Sequence, residues 1–412
     1  MKVAPIHKTI VSFGCWNQTH TAKGPSLRNE TLMEELNKHR KDLVLVSGDN
    51  YYPIKMDKEK SKEKSKEGEK EKKEKDSIKQ VNLDQLKQGF KNLKDATEDC
   101  EVFMNFGNHD VVSNDQVTVK EEDLVKGECV IMKTELEEGN DNFHVGMSHK
   151  ILYGDDTLIL MIDTSIYAPA KEFKKYAPCY NELKGKDQKT LVVEQGLFIK
   201  RAVKEFQGQN IIVVGHYPLF YEKVKKKNRI YVTENSEDFI KILFDINDGR
   251  NMYYLCADYH VYEEGIVTII KDGVEKKIHQ YIIGTGGTEL DPFTRKEKMI
   301  TTASDEPHNY ELQYQINKTK IWYGFLKGKY TKNGWIFSFV SSKLDSIGKR
   351  QYKSIKSKSK LSKLSKLSRI NENGNEEQRI RTIENMNRTK SKSRSKSKFK
   401  SKGYRSFRRS RK

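Results

Sequence analysis

Apolar residues in this chain gather into short unbroken runs separated by stretches with helical spacing. ThrIleValSerPhe (9–13), LeuValLeuVal (43–46), ValPheMetAsnPhe (102–106), ThrLeuIleLeuMetIleAsp (157–163), IleIleValVal (211–214) and MetTyrTyrLeuCysAla (252–257) each predict a buried strand. Between them, Leu27, Leu32 and Leu36 mark one helix, and Leu86, Phe90 and Leu93 share a face of another over 84–93. Further helices are predicted over 190–206 and 237–245. The last third changes rhythm. Runs at 266–270, 277–283, 321–326 and 335–340 follow one another and read as a second sheet of mixed or antiparallel strands. Strand–helix alternation followed by consecutive strands predicts an α/β fold, with two mixed β-sheets packed face to face and helices outside.

Two segments break this pattern. Residues 55–79 are nearly all Lys, Glu and Ser, and from 342 to 412 the chain turns to Lys/Ser and Arg/Ser repeats. Neither can build a core, so both are expected to be disordered: one as an insertion, the other as a tail. The folded domain is then expected over 5–341, enough for one large α/β unit. Charge divides the same way. Residues 341–412 hold 25 Lys+Arg against 5 Asp+Glu, a net of +20, while the first 340 hold 52 against 53. The basic excess belongs to the tail.

Five cysteines, at 15, 100, 129, 179 and 256, show no CxxC spacing, so neither a disulfide framework nor a zinc finger is predicted. No stretch reaches the roughly 20 apolar residues a membrane helix needs. The first residues lack the apolar core of a signal peptide, so an intracellular setting is expected. The sequons at Asn17, Asn29, Asn317 and Asn387 carry no meaning there.

Three polar blocks follow directly on apolar runs: SerGlyAspAsnTyrTyr (47–52), GlyAsnHisAsp (107–110) and GlyHisTyrPro (215–218). Residues just past strand ends in an open α/β sheet line a common crevice, so Asp49, Asn108, His109 and His216 should converge. Oxygen donors mixed with imidazole suit a divalent or trivalent metal.

At these residues the chain resembles the calcineurin-like metallophosphoesterases, most closely the small, tartrate-resistant type of purple acid phosphatase. Further matches are MetIleAspThr (161–164), GluGlnGlyLeuPhe (194–198), GlyThrGlyGly (284–287) with AspPro (291–292), and TyrGlyPhe (323–325). The resemblance implies that Asp49 bridges two metals. Tyr52 and His260, with Cys15, would hold one, and Asn108, His216 and Asp258 the other. His109 would act on the substrate phosphate, with Asp110 orienting it. Two positions depart from the pattern: GlyCysTrpAsn places Cys15 where the family has a ligand aspartate, and CysAlaAspTyrHis (256–260) places Asp258 where it has a histidine. Exchanging a hard donor for a thiolate favours zinc over ferric iron, with manganese also open.

The expected activity is phosphate monoester hydrolysis on a phosphorylated small molecule or phosphoprotein, with two sites for Zn, Mn or Fe. The alternative is an inactive phosphoesterase fold whose residues 342–412 bind nucleic acid or another polyanion. Such binding would weaken steeply with salt, and phosphorylation of the tail serines would cancel its charge.

Overall fold

The unbroken apolar runs become parallel strands at the centres of two sheets. The computed structural model describes residues 8–18, 20–21, 24–25, 27–52, 84–111, 141–225, 228–232, 237–291, 299–302 and 310–342. The predicted insertion at 55–79 and the tail beyond Ser342 lie outside them. The chain divides after Leu344.

In the six-stranded sheet the order is Gly334–Ser341, Gly324–Thr331, Thr9–Phe13, Leu43–Ser47, Glu101–Asn105 and Phe143–Val145. Thr9–Phe13, Leu43–Ser47, Glu101–Asn105 and Phe143–Val145 run parallel, and the last two strands of the chain add on antiparallel. The eight-stranded sheet has the order Met299–Thr302, Glu311–Lys320, Tyr262–Lys271, Val274–Ile283, Asn251–Cys256, Asn210–Val214, Thr157–Ile162 and Ser148–Leu152. Its parallel centre is Val274–Ile283, Asn251–Cys256, Asn210–Val214 and Thr157–Ile162. Fold class is therefore as the pattern predicted: two mixed sheets with flanking helices.

How strands are divided between the sheets differs from expectation. The last third is not one sheet. Tyr262–Lys271 and Val274–Ile283 extend the larger sheet, while Gly324–Thr331 returns to pair with Thr9–Phe13. Each sheet thus has a block of parallel strands, with antiparallel strands added on one side in the smaller sheet and on both sides in the larger.

The sheets pack through Ile10, Leu43 and Leu45 on one side and Ile159, Met161, Ile212, Val214 and Leu255 on the other. Helices cover the outer faces. Leu32 and Leu36 are fully buried in helix Arg28–Asn37, but Leu27 stands at its N-cap and is 45% exposed, so it is no part of the apolar stripe. Helix Gln188–Glu205 starts at Asp187, whose side chain accepts from the Thr190 N–H (2.7 Å). Among the described residues no helix is long and apolar enough to cross a membrane.

Cys15, Cys100 and Cys256 are free and buried. Cys179 is disulfide-bonded, to a partner outside the described residues, where the spacing of the cysteines predicted no disulfide framework. A disulfide belongs more to oxidising compartments than to the cytosol. Asn17 and Asn29 are fully buried, so neither sequon is accessible in the folded chain.

Candidate metal centre

The three polar blocks, and the two departures, meet at the strand ends. Asp49, Asn108 and His109 follow Leu43–Ser47 and Glu101–Asn105 of one sheet; His216 and Asp258 follow Asn210–Val214 and Asn251–Cys256 of the other. One side chain ties the facing ends together, and another ties two neighbouring strand ends of the larger sheet. Asn105 donates from Nδ2 to the Ile162 (2.8 Å) and Val214 (3.3 Å) carbonyls across the sheet gap. Thr164 Oγ1 accepts from the His216 (3.0 Å) and Tyr217 (2.9 Å) N–H groups.

The donors form two sets that share one carboxylate. Cys15 Sγ, an Asp49 oxygen and a His260 ring nitrogen all lie within 4.8 Å of one another. Asp49 Oδ2 accepts from the Tyr52 hydroxyl at 2.6 Å, and that hydroxyl is 3.2 Å from His260 Nε2. Asp49 Oδ1 faces the other way, 3.3 Å from His216 Nε2. The same Nε2 lies 3.0 Å from Asn108 Oδ1 and 3.7 Å from Asp258 Oδ1.

Both histidines are oriented by main chain. His216 Nδ1 lies 2.8 Å from the Ser47 carbonyl, and His260 Nδ1 lies 2.8 Å from the Glu289 carbonyl. A carbonyl can only accept, so each Nδ1 carries a proton and each ring is held with its Nε2 turned into the site. The His260 backbone N–H donates to Asp291 (3.0 Å), which fixes the loop.

Backbone strain is concentrated here. Among the described residues four non-glycines have positive φ, and Cys15 (53°), Asp49 (51°) and Asp258 (56°) are three of them. The left-handed turn tips each side chain from the strand axis into the crevice. Such conformations cost on the order of 1–3 kcal/mol each and persist at functional sites.

Electrostatics follow from burial. Burial alone would raise the Asp49 carboxyl, but His216 and then His109 outweigh it and hold the group below its usual range. Burial, and then the Asp49 charge, push the Cys15 thiol and the Tyr52 phenol well up. Proton-free donors thus need a cation to offset their charge. Oxygen, imidazole and thiol together are a set that a divalent transition metal fits.

His109 stands at the mouth, half-buried, its ring 4.7 Å from that of Tyr52 and its N–H on Asp49 Oδ1 (3.0 Å). Asp110 does not orient it. The buried Asp110 carboxylate instead accepts from the Asn50 N–H, the Asn50 Nδ2 and the Gly107 N–H, each at 2.8 Å. It holds together the two turns that carry Asp49 and Asn108. Burial, and then the Asp49 charge, raise its pKa.

Sequence reasoning missed the supporting residues Thr164, Asn105 and Asn50. MetIleAspThr (161–164) was a visible signal for Thr164; the orienting carbonyls of Ser47 and Glu289 left none. We expect Thr164→Val, which keeps the shape and removes the acceptor, to cost about 1–3 kcal/mol by orphaning two buried N–H groups. Thermal melting checks this, and an unchanged melting point would contradict it.

The chain belongs to the calcineurin-like phosphoesterases: the model of that family matches residues 7–262, which contain every donor described above. The domain is of the metallophosphoesterase class, for which divalent metal ions and phosphorylated substrates follow. No curated protein sequence matches the chain. One solved crystal structure aligns at 8% identity over 82% of this chain and 100% of its own, with a TM-score of 0.38, a likeness too slight to carry argument.

Proposed function

We propose that the domain hydrolyses phosphate monoesters, in the manner of the small purple acid phosphatases, at a site for two cations that share Asp49. The divided Asp49 carboxylate supports this reading. Oδ2 lies on the side of Cys15, Tyr52 and His260, while Oδ1 lies near His216 Nε2, which Asn108 Oδ1 and Asp258 Oδ1 also approach. Those two groups would hold one cation each. Bound there, cations neutralise phosphate oxygens and lower the pKa of a water molecule.

The chain's own residues do the rest. Asp49, whose carboxylate meets the Cys15 thiol, the Tyr52 hydroxyl, the His109 N–H and His216 Nε2, sets the spacing of the two donor sets. His109, half-buried and with no hydrogen bond to its ring nitrogens among the described residues, is placed to hydrogen-bond the phosphate or to hand a proton to the leaving oxygen. Asp110 keeps the Asn50 and Gly107 turns in register beneath it. Cys15 makes the first set soft, which favours zinc and disfavours ferric iron.

The test is phosphate release from an aryl phosphate by the full chain, stripped with a chelator and reloaded with zinc, manganese or iron. We expect stripping to abolish release and zinc to restore it best; no release with any metal would sink the reading. His109→Ala should keep its metal and slow turnover roughly 10²–10⁴-fold.

A further inference from the structure

The block GluGlnGlyLeuPhe (194–198) supplies no donor to the metal centre, yet its glutamine reaches the turn that supports one. Strand Thr157–Ile162 pairs with its antiparallel neighbour as far as Ile162 and Ser148, and the ladder stops there. The next residue, Asp163, is fully buried, so its main-chain groups need partners within the protein. Gln195 supplies both. Its Oε1 accepts from the Asp163 N–H (3.1 Å), and its Nε2 donates to the Asp163 carbonyl (2.9 Å). Ser148 Oγ donates to the same Oε1 (3.0 Å), which ties in the edge strand. Gln195 is itself only 5% exposed. A side-chain amide carries donor and acceptor together, as a peptide group does, whereas an ionised glutamate would lack the donor.

A second glutamine acts from the same helix. Gln188 Nε2 donates to the Ile166 (2.9 Å) and Ala168 (2.7 Å) carbonyls. Residues seven apart stand two turns from one another on one side of a helix, so Gln188–Glu205 holds the connection 163–168 at two points. The Asp163 carboxylate closes the turn itself, accepting from the Ser165 N–H (2.8 Å) and the Tyr180 hydroxyl (2.7 Å). Between the two holds lies Thr164, fully buried, whose Oγ1 accepts from the His216 and Tyr217 N–H groups. The contacts form one series. Gln195 fixes the peptide groups of Asp163, these fix Thr164, and Thr164 fixes the backbone that carries His216.

We propose that Gln195, with Gln188 as its second hold, is a positioning residue for the His216 donor set and governs the affinity of the cation there without touching it. The proposal rests on the reading of two cation sites that share Asp49. Replacing the amide by an apolar group leaves the buried Asp163 N–H and carbonyl unpaired. Relief comes by turning the peptide planes on either side of Asp163, and that turn carries Thr164 Oγ1 away from the His216 N–H. His216 Nε2 then moves against Asp49 Oδ1 and Asn108 Oδ1, from which it stands 3.3 and 3.0 Å. The other donor set keeps supports of its own. The Cys15 N–H is bound to the Gly48 carbonyl (3.1 Å), and His260 is held by Glu289 and Asp291. Loss of Gln195 therefore acts on one cation and spares the other.

The experiment titrates the full chain, stripped with a chelator, with cobalt(II) alone, whose bond to a thiolate gives a charge-transfer absorption. That band reports the Cys15 set; the equivalent bound without it reports the His216 set. Gln195→Leu should take up the thiolate-linked equivalent as the wild type does and loosen the other roughly 10–100-fold. Gln195→Glu, which keeps the acceptor and loses the donor, should loosen it less. Leu191→Ala is the control, a buried truncation on the same helix that leaves the Asp163 groups paired. It should lower the melting point by several degrees and leave both equivalents at wild-type affinity. Wild-type affinity for the second equivalent in Gln195→Leu would overturn the proposal, and so would equal loosening by Leu191→Ala. Should Gln195→Leu not fold, wild-type affinity in Gln195→Glu would overturn it as well. A wild type that binds one equivalent or none, or shows no thiolate band, would reject the two-cation reading and the proposal with it.

Discussion

Asp49→Asn should lose bound metal and phosphate release together while melting within a few degrees of the wild type. Asp49 is the one side chain both donor sets use, so losing its charge weakens both at once. The single amide oxygen can still accept from one of the two donors that Asp49 binds, the Tyr52 hydroxyl on Oδ2 or the His109 N–H on Oδ1, so part of the local hydrogen bonding is kept. Asp49→Ala removes those acceptors as well and leaves His216 buried without its carboxylate. Removing one partner of a buried pair costs roughly 3–5 kcal/mol, so the alanine variant should be visibly less stable. The pair of variants separates chemistry from folding. Metal content and melting temperature measured on both are the check; retention of wild-type metal by Asp49→Asn would contradict the shared-carboxylate account.

Gly48→Ala should be the most damaging change that removes no functional group. Gly48 has φ of 80°, where a Cβ costs about 1–2 kcal/mol. That Cβ would also lie 2.6 Å from the Gly107 nitrogen and 2.7 Å from His216 Nδ1. Neither neighbour can yield: Gly107 is pinned through its N–H to Asp110, and His216 Nδ1 to the Ser47 carbonyl. Overpacking adds about 1–3 kcal/mol, and relief would come by pushing the Asp49 and Asn108 turns apart. A drop in melting temperature of roughly 5–10 °C together with lost metal binding is expected. A variant that melts and binds metal as the wild type does would show the strand ends to be less closely packed than described.

The chain declares its strands and their chemistry more openly than their partners. LeuValLeuVal at 43–46 and IleIleValVal at 211–214 are legible because a strand covered on both faces has no polar side to interrupt the run. Asp49, Asn108 and His216 are legible because turn chemistry follows each run at once. An apolar run does not say which sheet it joins, so the return of Gly324–Thr331 to Thr9–Phe13, over 300 residues apart, could not be read. Strand Glu311–Lys320 was overlooked although Leu312, Tyr314 and Ile316 alternate inward, because its outward residues are strongly polar. Ile321, Trp322 and Tyr323, expected within a strand, form a connection, since apolar character there serves exposure and not a core. Orientation of His216 and His260 was invisible because it comes from backbone carbonyls, which every residue has.

Metal content of the purified full chain tests the central claim most directly. If Cys15 and Asp258 complete two donor sets around Asp49, elemental analysis should find up to about two equivalents of divalent transition metal per chain, zinc foremost, falling sharply in Asp49→Asn. Less than about a tenth of an equivalent, unchanged after incubation with zinc, would mean that the substituted site no longer binds metal.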